Sequence, residues 1–154
     1  MLVPGGLASI PVQDVLIASD SPRVRDAVRA VLGARNFTVR EVSSGPDVVA
    51  SVASQLPDLL VCDFQIGIMG GMAIALELRL EESGGRLGHV PTLLLLDRRA
   101  DVFLARRSQV EGFLVKPLDP IRLRRAVTAV LAGETFEDAS YRPASSAAAL
   151  ATAD

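Results

Sequence analysis

The sequence predicts an α/β domain built on a five-stranded parallel sheet, and three observations carry that prediction. Apolar runs of strand length alternate five times with segments of helical period. Four of the five runs are almost wholly apolar, as strands buried on both faces must be. Plausible caps followed by proline mark three of the helix starts between them. With right-handed crossovers, such a chain commonly takes the strand order 2-1-3-4-5, doubly wound with helices on both faces.

The elements follow in order. The first strand is Val15–Ala18, and Ser21-Pro22 opens a helix in which Val24, Ala27, Val28, Val31 and Leu32 share one face. Arg23, Arg25, Asp26 and Arg29 are expected to face water. Phe37–Val42 mixes charge into its run, which marks an edge strand. Gly45-Pro46 then starts a second helix, through Asp47–Gln55. Leu59–Cys62 is the third strand and Met72–Glu82 the third helix. Thr92–Leu96 and Gly112–Val115 complete the sheet, separated by a short helix near Arg99–Ser108. In the last helix, opened by Asp119-Pro120, Ile121, Leu123, Val127, Val130 and Leu131 are expected to pack inward, with Arg122, Arg124 and Arg125 outward.

The domain is expected to span residues 12–133, with an extension over 1–11 and a tail over 134–154. Within that tail, Ser140–Asp154 is rich in Ala, Ser and Thr and too poor in large apolar groups to fold alone.

Composition narrows the function classes. A formal net charge of −2 gives no long-range attraction to nucleic acid or anionic membrane. Aromatic residues at 4 % offer no base-stacking surface. A single cysteine, Cys62, excludes an internal disulfide, and a lone histidine, His89, excludes a histidine-rich metal cluster. No apolar run approaches the length of a membrane span, and residues 1–13 lack the basic start and apolar stretch of a signal peptide. The cytoplasm is the expected compartment. There is no P-loop, dinucleotide glycine motif or nucleophile–histidine pairing, so an independent enzyme is not expected.

Chemistry in an open α/β sheet gathers beyond the carboxyl ends of the strands, where the strand order reverses. Asp20 follows the first strand and Asp63 the third, so two carboxylates from distant sequence converge on that crevice. Like charges at that range repel unless a cation lies between them, and a hard divalent ion with oxygen ligands, Mg2+, is the expected occupant. Lys116 ends the fifth strand at the same rim, where its ammonium can neutralise Asp63 or a phosphoryl group placed on it. Pro117 follows, and a cis Lys116–Pro117 bond is the expected means of aiming the lysine. Singly, a carboxylate after a strand is often a helix cap and Lys-Pro a turn. The three together define a site.

These residues make the chain resemble the receiver domains of bacterial two-component response regulators, of chemotaxis-receiver-like fold, over roughly Val12 to Gly133. The family's acid pair falls on Ser19-Asp20, its phospho-accepting aspartate on Asp63, and its Lys-Pro on Lys116-Pro117. By resemblance, Asp63 accepts the phosphoryl group, and Asp20, Asp63 and the Gln65 carbonyl ligate the metal. The departures are specific. Ser19 replaces the first acid, although serine can still hold a metal-bound water. Leu96, followed by Asp97, stands where a Ser or Thr normally bonds the phosphoryl oxygen; losing such a charge-assisted bond costs about 1.5–3 kcal/mol. Ile66-Gly67 replaces Met-Pro, Gly70-Gly71 replaces Asp-Gly, and Phe113 takes the switch-aromatic position without a hydroxyl.

The resemblance therefore implies a protein-interaction module whose phosphate switching is weakened or lost. The alternative is a working phospho-acceptor receiver, phosphorylated on Asp63 by a histidine kinase. By family analogy, output comes from the face of the fourth helix, fifth strand and fifth helix, here Phe103, Arg106, Arg107, Arg122 and Arg125, with the tail as a second contact. A flavin carrier of flavodoxin type shares the strand order but wants a hydroxyl- and glycine-rich loop where Ser19-Asp20-Ser21-Pro22 stands. Cys62 reads as a small core hydrophobe, His89 as a loop residue, and Met69 and Met72 as caps on the core.

Overall fold

A computed structural model describes residues 12–33 and 36–141. The extension over 1–11 and the tail beyond Tyr141 lie outside the described residues. Six strands form one sheet: β1 (Gln13–Ala18), β2 (Phe37–Val42), β3 (Leu59–Asp63), β4 (Thr92–Leu96), β5 (Gly112–Val115) and β6 (Phe136–Glu137). Their order is β2-β1-β3-β4-β5-β6, and every adjacent pair is parallel. The first five strands take the expected order, with β2 at one edge. Residues 134–141, assigned to the tail by composition, add β6 at the other edge.

The helices are α1 (Pro22–Leu32), α2 (Gly45–Ser54), α3 (Gly71–Ser83), α4 (Val102–Arg107) and α5 (Pro120–Leu131). Ser21 caps α1 and Asp119 caps α5, their side-chain oxygens accepting from the Val24 and Arg122 amides. The α2 cap is Ser44, whose hydroxyl accepts from Asp47 N; Gly45 and Pro46 already lie in the first turn. The fourth helical segment is short, a 3-10 turn (Arg99–Asp101) running into six α-helical residues.

Strand side chains alternate between two apolar layers, as a period of two requires. Leu16, Leu60, Cys62, Leu94, Leu96 and Phe113 face α2, α3 and α4. Val15, Ile17, Leu59, Val61, Leu93, Leu95 and Leu114 face α1 and α5. Cys62 is a core residue, and Met69 and Met72 pack against the rim of its layer. Ile121 departs from the expected pattern, standing 65 % exposed. Its neighbours one turn on are Arg124 and Arg125, so it belongs to the outward stripe of α5. Arg25, expected to face water, is half-buried and donates to the Ser19 carbonyl at 2.7 Å.

His89 lies on the loop into β4, within an ionic cluster. Its ring nitrogens stand 2.9 Å from Glu82 Oε1 and 2.7 Å from Glu111 Oε2, and Arg79 bonds both glutamates. Glu111 also accepts the Thr92 amide, which ties the start of β4 to the loop before β5. No helix among the described residues is long and apolar enough to cross a membrane.

Candidate functional site

The site is assembled where four adjacent strands end. Asp63 is the last residue of β3 and is 3 % exposed, so its carboxylate needs partners to remain charged. It has three. Lys116 Nζ donates to Oδ1 at 2.9 Å, the Gln65 amide donates to Oδ1 at 3.3 Å, and the Ser19 hydroxyl donates to Oδ2 at 2.8 Å. Ser19 is fully buried and in turn accepts the Ser21 amide at 3.0 Å, which locks its rotamer to the start of α1.

Asp20 is exposed beside the turn that leaves β3, and its Oδ2 accepts the Gly67 amide at 3.1 Å. The turn thus aims one backbone N–H at each carboxylate, Gln65 at Asp63 and Gly67 at Asp20. Gly71 lets α3 begin against that turn. A Cβ there would stand 2.9 Å from Phe64 Cα and 3.2 Å from the Asp63 carbonyl oxygen. Ile68, at the tip of the turn, is 89 % exposed and holds φ at +72°.

Lys116 follows β5, its amide donating to the Leu96 carbonyl at 2.8 Å, and the Lys116–Pro117 bond is cis. Its ammonium is shared: beside Asp63, it pairs with Asp97 Oδ1 at 2.8 Å. Partial burial works against the charge on Lys116. The hydrogen bonds it donates to Asp97 and Asp63 outweigh burial and hold the pKa above the ordinary lysine value. Burial, reinforced by the neighbouring Asp63 charge, pushes the Cys62 thiol well up.

The structure therefore brings together Ser19, Asp63 and Lys116 in one hydrogen-bonded group, with Asp20 tied to the same turn. It separates Leu96 from them. That side chain is fully buried in the layer facing α2, α3 and α4 and makes no polar contact with the site. Asp97, one residue on, reaches the lysine instead. Phe113 is likewise buried in that layer, 2 % exposed.

On the proposed output face, Phe103, Arg107 and Arg125 are exposed, with the Arg107 guanidinium 5.4 Å from the Phe103 ring centroid. Arg106 pairs with Glu137 of β6 at 2.7 Å. Arg122, expected to point outward, is drawn onto Asp138 at 2.7 Å because a buried carboxylate needs a counter-charge. Sequence reasoning passed over Asp138, which follows β6 in a polar stretch and carries no motif.

Among the described residues no group of three or more His, Cys, Asp and Glu side chains is gathered to hold a metal ion. The Asp20 and Asp63 carboxylates at the crevice are hard oxygen donors, the type that Mg2+ takes.

A doubly wound parallel sheet with an acid, a serine and a lysine at its switch point defines a receiver-type signalling domain. The response regulator receiver domain family matches residues 15–128, and the chain belongs to it. An uncharacterized response regulatory protein of Mycobacterium tuberculosis is 34 % identical over 124 residues, spanning 76 % of this chain and 90 % of that one. Protein PilH of Pseudomonas aeruginosa is 26 % identical over 121 residues, spanning 77 % and 98 %. Among solved structures, a LuxR-family two-component response regulator from Aurantimonas superposes with a TM-score of 0.73 at 21 % identity, covering 84 % of this chain and 92 % of that one. The receiver domain of a sensor histidine kinase from Pseudomonas aeruginosa, solved with a magnesium ion in its active-site cleft, gives 0.67 at 24 %, covering 78 % and 98 %.

Proposed function

We propose that this receiver domain acts as a cytoplasmic protein-docking module whose phosphoryl acceptance at Asp63 is weakened. One observation carries the reading: Lys116, the cation a phosphoryl group on Asp63 would use, is already bonded to Asp97. A dianionic group arriving at Asp63 meets the Asp97 charge beside it and competes for the same ammonium. The buried Leu96 side chain offers no hydroxyl to replace that contact. Asp20, Asp63 and the Gln65 carbonyl would hold Mg2+, with Ser19 reaching a metal-bound water, and the ion would neutralise charge on the phosphoryl oxygens.

Docking would use the α4–β5–α5 face, where Phe103, Arg107 and Arg125 remain exposed. The partner is a protein, with neither nucleic acid nor bilayer involved. The second reading is a working acceptor fed by a histidine kinase. It is favoured by the intact Asp63–Lys116 contact.

Incubation with acetyl phosphate and Mg2+, read by intact mass beside Asp63→Asn, tests the choice. A trace adduct or none in folded protein is expected. A stoichiometric adduct that disappears in Asp63→Asn overturns the weakened reading and establishes the working one.

A further inference from the structure

The family match ends at residue 128, yet the side chain that grips the end of β5 comes from beyond it. The Asp138 carboxylate is fully buried. Its Oδ2 accepts the Val115 amide at 2.9 Å and Arg122 Nη1 at 2.7 Å, and its Oδ1 accepts the Ser140 amide at 3.0 Å. Arg122 reaches on from there, donating through Nη2 to the Pro117 carbonyl at 3.3 Å. Val115 and Pro117 are the two neighbours of Lys116. Asp138 thus holds one directly and the other through Arg122.

A buried carboxylate is costly unless every lone pair is satisfied. Two of its three bonds go to the strand and helix that flank the lysine, and the third to the Ser140 amide of its own strap. Glycine at 112 permits the approach, since a Cβ there would stand 3.0 Å from the Phe136 carbonyl oxygen.

We propose that Asp138 is a positioning residue for Lys116, so that the strap of residues 134–141 sets how the lysine meets Asp63 and Asp97. For phosphoryl acceptance the inference rests on the reading of Asp63 and Lys116 given above. Its consequence is a coupling. A partner that lifts the strap from β5 loosens the lysine, and a ligand at Asp63 that redirects the lysine changes the hold of the strap by the same free energy. A strap that merely secured the chain would leave Lys116 unmoved.

The test follows the Lys116 Cε and Nζ resonances in the full chain, in wild type, Asp138→Asn and Arg122→Lys. The lysine signals are expected to move toward those of a solvent-exposed lysine in both variants, while the β1 and β3 amide signals stay in place. Unmoved Lys116 signals in folded variants overturn the proposal. Should Asp138→Asn fail to fold, Arg122→Lys decides. It keeps a positive charge opposite Asp138 and shortens the reach to Pro117. Adduct formation with acetyl phosphate, measured on the same samples, separates the two readings. Moved lysine signals without any adduct in wild type support the positioning and remove the acceptor. An adduct in wild type with unmoved lysine signals keeps the acceptor and overturns the positioning.

Discussion

The ammonium of Lys116 and the carboxylate of Asp97 lie 2.8 Å apart, and this pair sets the resting state of the pocket. Asp97→Asn removes the competing charge and leaves Lys116 to Asp63 alone. We expect the rate of adduct formation with acetyl phosphate and Mg2+ to rise about tenfold, the effect of roughly 1.4 kcal/mol. A rate equal to wild type would show that Asp97 does not compete. Because the folded-state pKa of Lys116 is raised, its ion pairs contribute fully below the ordinary lysine value and are lost only as the pH climbs through the raised one. The effect should therefore persist at neutral pH.

Restoring a hydroxyl at Leu96 should not restore the switch. The side chain fills the core layer with Leu94, Val102 and Ala105, so Leu96→Thr places a polar group among hydrocarbon and leaves a small void. A loss of about 2–3 kcal/mol is expected, with no gain in adduct. Urea unfolding beside the mass assay reads both.

Asp138 should make stability depend on acid. Burial alone would raise its pKa, but the Val115 amide, Ser140 and Arg122 outweigh burial and hold it below the ordinary carboxylate value. A depressed folded-state pKa contributes stability above the unfolded value and loses it as the pH falls through the folded one. At neutral pH, Asp138→Asn should cost about 3 kcal/mol, since it removes the buried carboxylate that pairs with Arg122. Denaturant midpoints of wild type and variant should converge as the pH drops below the ordinary aspartate range. A gap that stays constant as the pH falls below that range would mean that the Asp138 charge contributes nothing.

Ile68 is a β-branched residue at positive φ, where asparagine or glycine is favoured. Since it is exposed, Ile68→Asn relieves strain without opening the core, and should raise the thermal midpoint by a few degrees, for about 1 kcal/mol. A lower midpoint would show that the isoleucine makes a contact worth more than its strain.

Cys62 should resist alkylation in the native state, since burial and the Asp63 charge both keep its thiol protonated. Modification is expected only at the rate of unfolding. Rapid labelling in native buffer would contradict the buried position.

The fold was legible wherever one residue type decided one contact. Runs such as Leu59–Cys62 and Thr92–Leu96 can be little else than doubly buried strands, and Ser21 and Asp119 cap their helices through local bonds. Asp63 and Lys116 could be paired because strand order alone brings their ends together. What escaped depends on side-chain direction or on partners far away in sequence. Ile121 reads as apolar but lies on the stripe of Arg124 and Arg125. Whether Leu96 or Asp97 faces the pocket turns on a single step of strand register. β6 is two residues long, and Phe136-Glu137 carries no periodicity at all. Asp138 looks like any surface acid until Arg122 and the Val115 amide are placed around it.

Where the chain is cut decides what is being studied. A fragment trimmed to residues 15–128, the span that homology recommends, would keep Asp63, Lys116, β2 to β5 and β1 from Val15 onward. It would also leave Arg122 and the Val115 amide without their acceptor and expose the outer hydrogen-bonding edge of β5, a surface to which other chains adhere. Dimers or aggregates of such a fragment would be products of the trimming, and phosphorylation measured on it would describe a different lysine.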